Sequence, residues 1–212
     1  SKNSKKKNND KCYFFEVGAN DGITQSNTYE IEKKLNWTGI LVEPIPSSFQ
    51  KLKKNRKNCE IFNFFLSDHE NQNKIEMKYN FSFGNLMASV HKKSIFNFFK
   101  HKTIKVNSTT FNQVMEMSKA KQVDFLSLDV EGYELKIIKS INFEKYRPYA
   151  IIVEIWKNDC FEIIDYLSKN NYFPAQNASN FTMKNNPKWS QNHQDFIFIH
   201  YDFAKYFYDN NY

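Results

Sequence analysis

The chain has 212 residues, 41% of them hydrophobic, which favours one domain with a substantial buried core. Its formal net charge of +7 comes almost entirely from lysine, since only Arg56 and Arg147 are arginines. Proteins that read nucleic acid rely on arginine and clustered basic faces, so this composition argues against a nucleic-acid partner. No apolar stretch approaches the ~20 residues of a membrane span. Three scattered cysteines indicate neither a disulfide framework nor a zinc site, and they fit a reducing compartment, the cytoplasm.

Residues 1–11 contain no apolar residue and are predicted to be a solvated tail or the end of a linker. The folded domain is then predicted over residues 12–212. The abrupt start of this polar segment also fits a domain cut from a longer, multidomain chain.

The first informative stretch is an apolar run that ends in Glu16 and continues into a loop with two glycines, Gly18 and Gly22. A helical composition follows over residues 26–35. Strand, glycine loop and helix together predict the opening of a nucleotide-binding α/β unit. The spacing is not the dinucleotide fingerprint, because three residues separate the glycines, and a structural turn would explain the loop about as well.

The second predicted strand, residues 38–43, also ends in an acid, Glu43. Two parallel strands joined by one crossover helix would place Glu43 beside Gly18 at the same edge of the sheet. A carboxylate there can accept hydrogen bonds from both hydroxyls of a ribose. A strand-end acid that faces solvent is the alternative.

A helix is predicted from Pro46 to Arg56, and a third strand over residues 61–66. Ser67 and Asp68 follow this strand directly. They are therefore candidates to contact the base of a nucleotide ligand, with a surface turn as the equal alternative.

Residues 70–110 are less regular, with short strands predicted over 74–81 and 103–106. Residues 85–91 are predicted to be a loop near the site. His91 lies in this loop and is a candidate catalytic base from its position alone, although a lone histidine is more often structural.

The second informative stretch is the predicted fourth main strand, residues 123–132, which follows a predicted helix over 111–117. It carries Asp129 and Glu131 where the strand meets a glycine, and a helix is predicted over 133–141. Strand alternation would point both carboxylates to one side, where they could converge on one centre. Oxygen ligands of this kind suit magnesium or manganese better than zinc. Alternatively, Glu131 caps the following helix.

A fifth strand is predicted over residues 149–155 and carries Glu154, and a helix follows over 160–169. Residues 180–183 and 195–200 are then predicted to form an antiparallel pair. The pattern predicts a Rossmann-like α/β fold, with a doubly wound, mostly parallel sheet and an antiparallel C-terminal strand pair.

Several short stretches carry a family resemblance in combination. They are Glu16–Gly22, Ser26–Tyr29, Trp37–Gly39, Glu43–Pro44, Asn55–Arg56 and Asp124–Gly132. Together they resemble the FkbM family of S-adenosylmethionine-dependent methyltransferases, over residues 13–154. Two positions depart from the family pattern: Glu16 stands where aspartate is usual, and Tyr133 where the residue is often small.

The resemblance implies a class I methyltransferase fold and O-methylation of a sugar or glycan hydroxyl, with the acceptor free or carried as a nucleotide-sugar. It also implies that Gly18, Asn20 and Asp21 cradle the methionine end of the donor and that Glu43 takes the ribose. The full candidate donor-binding set is Glu16, Gly18, Asn20, Asp21, Glu43, Ser67, Asp68 and Asp129. An alcohol is a weak nucleophile until its proton is removed, so a base or a metal is needed. The candidate catalytic groups are Asp129, Glu131, His91 and Glu154, and the candidate metal ligands are Asp129 and Glu131.

Three other functions compete with this interpretation. A nicotinamide-dependent oxidoreductase would share the ribose-binding acid, but the chain lacks G-x-G-x-x-G. A catalytically degenerate methyltransferase-like binding module stays open, although the intact acids weigh against it. A nucleic-acid methyltransferase is disfavoured, because arginine is scarce and the N-P-P-Y type of tetrapeptide is missing.

Overall fold

The computed structural model describes residues 11–69, 74–82, 85–89, 101–179 and 192–211. The predicted tail (except its last residue) and the strand predicted over 180–183 lie outside the described residues. The domain limits predicted from the sequence therefore stay a prediction. Within the described residues, no helix is long and apolar enough to span a bilayer.

The described strands are β1 (Tyr13–Val17), β2 (Thr38–Val42), β3 (Glu60–Phe62), β4 (Phe65–Leu66), β5 (Ile75–Ser82), β6 (Asn85–Ser89), β7 (His101–Val106), β8 (Ser108–Thr109), β9 (Phe125–Leu128), β10 (Ala150–Trp156), β11 (Tyr172–Asn177) and β12 (His193–His200). The described helices are α1 (Tyr29–Leu35), α2 (Pro46–Asn55), α3 (Phe111–Met117), α4 (Glu134–Ser140), α5 (Cys160–Lys169) and α6 (Tyr201–Asn211).

The main sheet has seven strands in the order β3-β2-β1-β9-β10-β12-β11. The pairs between β3 and β10 are parallel, whereas β12 pairs antiparallel with both of its neighbours. Parallel strands bring their carboxyl ends to one edge, and the strand order reverses beside β1. This confirms the predicted doubly wound fold, and it places the ends of β1, β2 and β9 side by side.

The two faces of the central strands belong to different parts of the core. Phe14 and Leu41 pack on one face with Leu52 of α2, while Phe15 and Val42 pack on the other in the larger cluster. The larger cluster also contains the buried apolar residues of α3, α4 and α5. Because side chains alternate along a strand, burial on both faces requires the continuous apolar runs seen in the sequence.

Local signals explain where several helices begin. Pro46 occupies the first turn of α2, where a missing N–H costs nothing. The side chain of Thr110 accepts a hydrogen bond from Gln113 N, and Gln113 reaches back to the Thr110 backbone to complete a capping box at α3.

The predicted third strand is wrong as one continuous element. It divides into β3 and β4, because Asn63 leaves the sheet and its Nδ2 donates to the carbonyl oxygens of Glu43 and Pro44 at 2.7 and 3.0 Å. Phe65 N then donates to Asn107 O at 2.9 Å, and β4 pairs with β8 in a separate two-stranded sheet.

Two further predictions need correction. Residues 85–89 form strand β6 of a three-stranded antiparallel sheet, ordered β6-β5-β7, instead of a loop. Residues 195–200 were predicted to pair with residues 180–183, but β12 pairs antiparallel with β10 and with β11, which directly follows α5. The tight turn at Asn171, with a φ of 65°, sends the chain straight back into the sheet.

Candidate active site

The glycine loop leaves the sheet where β1 ends. Gly18 has a φ of +82°, and a Cβ there would lie 1.9 Å from the backbone oxygen of Asp129. Its N–H and that of Ala19 both donate to Val42 O, at 3.0 and 3.1 Å. Only glycine combines this φ with so close an approach, so Gly18 joins the ends of β1, β2 and β9.

Glu43 lies beside this loop, as the sequence predicts. Its side chain is buried, and its two carboxylate oxygens accept hydrogen bonds from Asn20 N at 2.9 Å and Ile45 N at 2.8 Å. Each oxygen keeps a second acceptor position, which a ribose hydroxyl could use. Burial raises the pKa of Glu43 to about 7. The contact with ribose itself stays a prediction.

Glu16 has a different place from the one predicted. It does not line the cavity, and it supports the loop from behind. Its carboxylate accepts hydrogen bonds from Ser26 Oγ, Asn27 N and Thr28 Oγ1, at 2.9, 2.9 and 2.5 Å. Burial raises the pKa of Glu16. Direct contact with a cofactor is therefore not supported, whereas a role in shaping the loop is.

Asp21 is also a loop-shaping residue in this geometry. Its carboxylate accepts hydrogen bonds from Ile23 N at 3.0 Å and from both the N–H and the hydroxyl of Thr24 at 2.8 and 2.9 Å. It does not line the cavity, whereas the preceding residue, Asn20, does.

The loop, the end of β2 and the end of β9 open onto a cavity of about 520 Å³. This volume lies within the range of small-molecule sites. The polar loop side is formed by Gly18, Asn20, Thr24, Gln25, Ser26, Asn27 and Glu43, and an apolar patch is formed by Phe64, Phe65, Leu66 and Met77.

Ser67 and Asp68 are not brought to this cavity. Ser67 is fully buried, and its hydroxyl donates to His69 O at 2.9 Å. Asp68 accepts a hydrogen bond from Tyr133 OH at 3.2 Å. The geometry gives them local structural partners, and their predicted contact with a base is unsupported. His91 lies outside the described residues.

The cavity also has an acidic wall. It consists of Asp129, Glu131, Glu154 and Asp195, together with His193. Asp129 is open to the cavity, yet crowding by protein atoms, then Asp195 and Glu16, raise its pKa to about 6. Burial, then Asp129 and Glu134, raise the pKa of Glu131 to about 7.

A divalent cation would find its ligands in a different set from the one predicted. Carboxylate oxygens of Asp129, Glu134 and Glu154 lie within 4.8 Å of one another. The predicted pair of Asp129 and Glu131 relied on strand alternation, but β9 ends at Leu128 and Glu131 has a φ of 57° in the turn that follows. The pairing argument is therefore wrong, and Glu134 is the residue that sequence reasoning missed.

The other two members of this carboxylate cluster already have partners. Glu134 accepts hydrogen bonds from Val130 N and Gly132 N, each at 2.9 Å. Glu154 accepts one from Trp156 Nε1 at 2.9 Å, and its other oxygen lies 3.6 Å from His193 Nε2. Burial, followed by the nearby carboxylates, raises the pKa of Glu154 to about 9.

His193 and Asp195 were not predicted as site residues. They reach the cavity through the antiparallel register of β12, which places Asp195 opposite Glu154 and His193 opposite Trp156. The available signal was an acid, Asp195, at the start of a predicted strand, but the strand partner could not be identified from the sequence. Asn27, whose Nδ2 donates to Ser127 Oγ at 3.0 Å, was also missed.

Comparison with known proteins agrees with this architecture. Residues 16–174 match the family described as the Methyltransferase FkbM domain. The solved structure of a fibrillarin/NOP5p complex superposes with a TM-score of 0.52 at 13% identity, covering 89% of this chain and 72% of that chain. Aeropyrum pernix fibrillarin with natively bound S-adenosyl-L-methionine gives a TM-score of 0.50 at 10% identity, covering 89% and 66%. At these identities the likeness shows the fold alone. A search of curated proteins found no significant match.

Proposed function

We propose that this chain, which belongs to the FkbM domain family of methyltransferases, transfers a methyl group from S-adenosylmethionine to a hydroxyl of a sugar or glycan. Family membership confirms the resemblance seen in the sequence and makes the chain an S-adenosylmethionine-dependent methyltransferase. The hydroxyl acceptor, and the sugar that carries it, are the proposed part.

The cavity suits the net positive charge of the methyl donor. Besides its carboxylate, S-adenosylmethionine carries a positive sulfonium and a positive amino group, and the cavity is lined by Asp129, Glu131, Glu154 and Asp195. Opposite charge nearby favours the ionised form of each carboxyl group, so a cationic donor and these acids stabilise each other. Glu43 supplies the acceptor for the ribose hydroxyls at the loop side.

One observation supports the proposal that the methyl acceptor is a hydroxyl group. Asp129 and Glu131 line the same cavity as Glu43, and their pKa values are about 6 and about 7. A general base works best when its pKa lies near the working pH, since it must be ionised and still accept a proton. The carboxyl groups of this wall are therefore suited to receive the proton of an alcohol.

The proposed reaction balances without any other reagent. The acceptor oxygen forms a bond to the methyl carbon while the carbon–sulfur bond breaks, and that electron pair stays on the sulfur. The hydroxyl proton passes to Asp129 or Glu131. The protein's main task is to hold the acceptor oxygen and the methyl carbon in line at near-attack distance. The apolar patch that includes Met77 disfavours water in that part of the cavity.

A divalent ion is the second route to an activated hydroxyl. Asp129, Glu134 and Glu154 are the residues that would hold it, and their all-oxygen donor set suits magnesium or manganese. Carboxylates lining the site also favour an uncharged sugar over a nucleotide-sugar whose phosphates lie close to the wall. The absence of nucleic-acid partners and the cytoplasmic location remain proposals from the sequence.

The test is methyl transfer from labelled S-adenosylmethionine to a panel of sugars, glycans and nucleotide-sugars, with and without chelator. Asp129→Asn keeps the shape and removes the charge, and we expect a loss of at least about 100-fold, the scale of a lost general base. Asp165→Asn is the matched control, because Asp165 is an exposed acid paired with Lys169 on α5.

Loss on chelation with rescue by added cation would favour the metal route, and activity that survives chelation would favour the base. Transfer at the parent rate by Asp129→Asn would contradict the metal route and Asp129 as the base. Transfer at the parent rate by Glu131→Gln as well would contradict the base route. Donor binding without transfer to any acceptor would instead favour the binding-module alternative.

A further inference from the structure

We infer that Arg56, which does not line the cavity, is a positioning residue for the methyl donor, because it holds loop 22–28 in its donor-binding conformation. The inference rests on the proposal that this cavity binds S-adenosylmethionine. It concerns the C-cap residue of α2, which belongs to a stretch of the family resemblance but was given no role in the site.

The guanidinium group of Arg56 donates hydrogen bonds to several points of the loop. Nη1 donates to Gly22 O at 2.9 Å and to Ser26 Oγ at 3.1 Å, and Nη2 donates to Thr28 Oγ1 at 3.0 Å. Nε donates to Glu32 of α1, on the far side of the loop. The start, middle and end of loop 22–28 are thus fixed to one rigid planar group.

The surroundings of Arg56 make this arrangement specific. Its side chain is 0% exposed, and the rings of Phe14 and Tyr29 lie 5.4 and 5.7 Å from the guanidinium carbon. Glu16 lies 3.9 Å from Nη1 and supplies a second negative charge. At Gly22, which has a φ of +80°, a Cβ would lie 2.6 Å from Cγ of Arg56. A side chain at position 22 would therefore collide with both Arg56 and Leu52.

The loop that Arg56 fixes is also part of the cavity wall. Thr24, Gln25, Ser26 and Asn27 line the cavity beside the glycine turn. Gln25 has a φ of 59°, which is costly for a residue with a side chain. A costly loop conformation persists only where its surroundings impose it, and Arg56 provides three of the contacts that do so.

A binding site that is fixed in advance does not spend ligand-binding energy on ordering itself. If the loop were released, only a fraction of molecules would be competent to bind, and the apparent Kd would rise in inverse proportion to that fraction. Arg56 therefore acts on donor affinity through the loop, at a distance from the donor.

The experiment measures S-adenosylhomocysteine binding by calorimetry, with hydrogen exchange of loop 22–28. Arg56→Lys keeps the buried charge but cannot form the same set of planar hydrogen bonds. Thr28→Val leaves Arg56 in place but removes the hydroxyl that accepts from Arg56 Nη2 and donates to Glu16. We expect Kd to rise on the order of tenfold in Arg56→Lys, with stoichiometry near one, faster exchange confined to the loop, and protection restored by saturating ligand. Thr28→Val should shift both readouts in the same direction by a smaller amount.

Arg147→Lys is the matched control, since Arg147 is half exposed and pairs with Asp202 away from the cavity. We expect the parent Kd for this variant. An unchanged Kd in both Arg56→Lys and Thr28→Val would overturn the inference. So would an unchanged Kd with reduced stoichiometry, because that result marks a loss of folded protein only. A parent protein that binds no S-adenosylhomocysteine would overturn the donor site itself, and the inference with it.

Discussion

Substitution of Glu43 by glutamine separates binding from stability at one buried position. In the parent, both carboxylate oxygens accept backbone N–H groups, from Asn20 and Ile45, and each keeps one further acceptor position. Glutamine has nearly the same shape, but it replaces one oxygen with an N–H₂ donor. One position that could accept a ribose hydroxyl is therefore lost, and the remaining oxygen carries no net charge.

The loss of binding follows from the strength of one hydrogen bond to a charged group, about 1.5–3 kcal/mol. This corresponds to a rise in Kd of about 10- to 150-fold at pH 8, where Glu43 is ionised. Calorimetric titration with S-adenosylhomocysteine measures the change. Glu162→Gln is the matched control, because Glu162 is an exposed acid on α5 that pairs with Lys139.

Ionisation of Glu43 favours ligand binding but lowers the stability of the folded chain. Glu43 has a pKa of about 7 in the folded chain, against an ordinary value of 4.5. A raised pKa means that the folded state binds the proton more tightly than the unfolded state. This contribution is fully present below pH 4.5 and is lost as the pH rises through 7. A pKa difference of about 2.5 corresponds to on the order of 3 kcal/mol.

Glutamine cannot ionise, so the variant lacks this pH-dependent loss. Urea denaturation at several pH values measures the difference in free energy of unfolding between Glu43→Gln and the parent. This difference should shift in favour of the variant by on the order of 3 kcal/mol between pH 4 and pH 8. Any constant cost of the mispaired N–H₂ group cancels in this comparison. A parent-like Kd at pH 8 in the folded variant would remove Glu43 from the donor site, and a pH-independent stability difference would refute its raised pKa.

Three further predictions concern other parts of the site and its supports. In urea denaturation, Gly18→Ala should have a free energy of unfolding at least about 2 kcal/mol lower than Gly132→Ala. Both glycines have positive φ, but only Gly18 lacks space for a Cβ, so equal losses of stability would contradict the packing at the loop. Thr110→Ala should lower the free energy of unfolding by about 1 kcal/mol through loss of the α3 cap, and an unchanged denaturation midpoint would show that the cap is dispensable. Trp156→Phe removes the N–H donor to Glu154, so the pKa of Glu154, already about 9, should rise further in a ¹³C NMR titration of the glutamate carboxyls; a fall would mean that the hydrogen bond does not favour the charged form.

The features that sequence analysis located correctly are those decided by local pattern. Apolar runs that end in acids identified β1 and β2, and right-handed parallel connection then placed Glu43 beside Gly18. The helix-start signal at Pro46 was likewise local, and it gave the start of α2 correctly.

The features that it missed depend on contacts between distant residues. Glu16 lies next to the last residue of β1, but only the folded loop shows that Ser26 and Thr28 donate hydrogen bonds to its carboxylate. The strand alternation assumed for Glu131 failed because β9 stops one residue before Asp129. His193 reaches the cavity because of the register between β10 and β12, and register is set by the pairing of whole strands.

The position of β12 in the sheet also has a consequence for folding. β10 and β11 are separated in space by β12, although β12 follows both of them in the chain. Until residues 193–200 arrive, β10 presents an open edge and β11 has no strand beside it. The contacts that complete the sheet are therefore of long range, and their closure is expected to be slow compared with the formation of β1, β2 and their connecting helix. The same late step delivers His193 and Asp195, so a nascent chain can assemble the loop side of the cavity well before the cavity acquires its full set of acids.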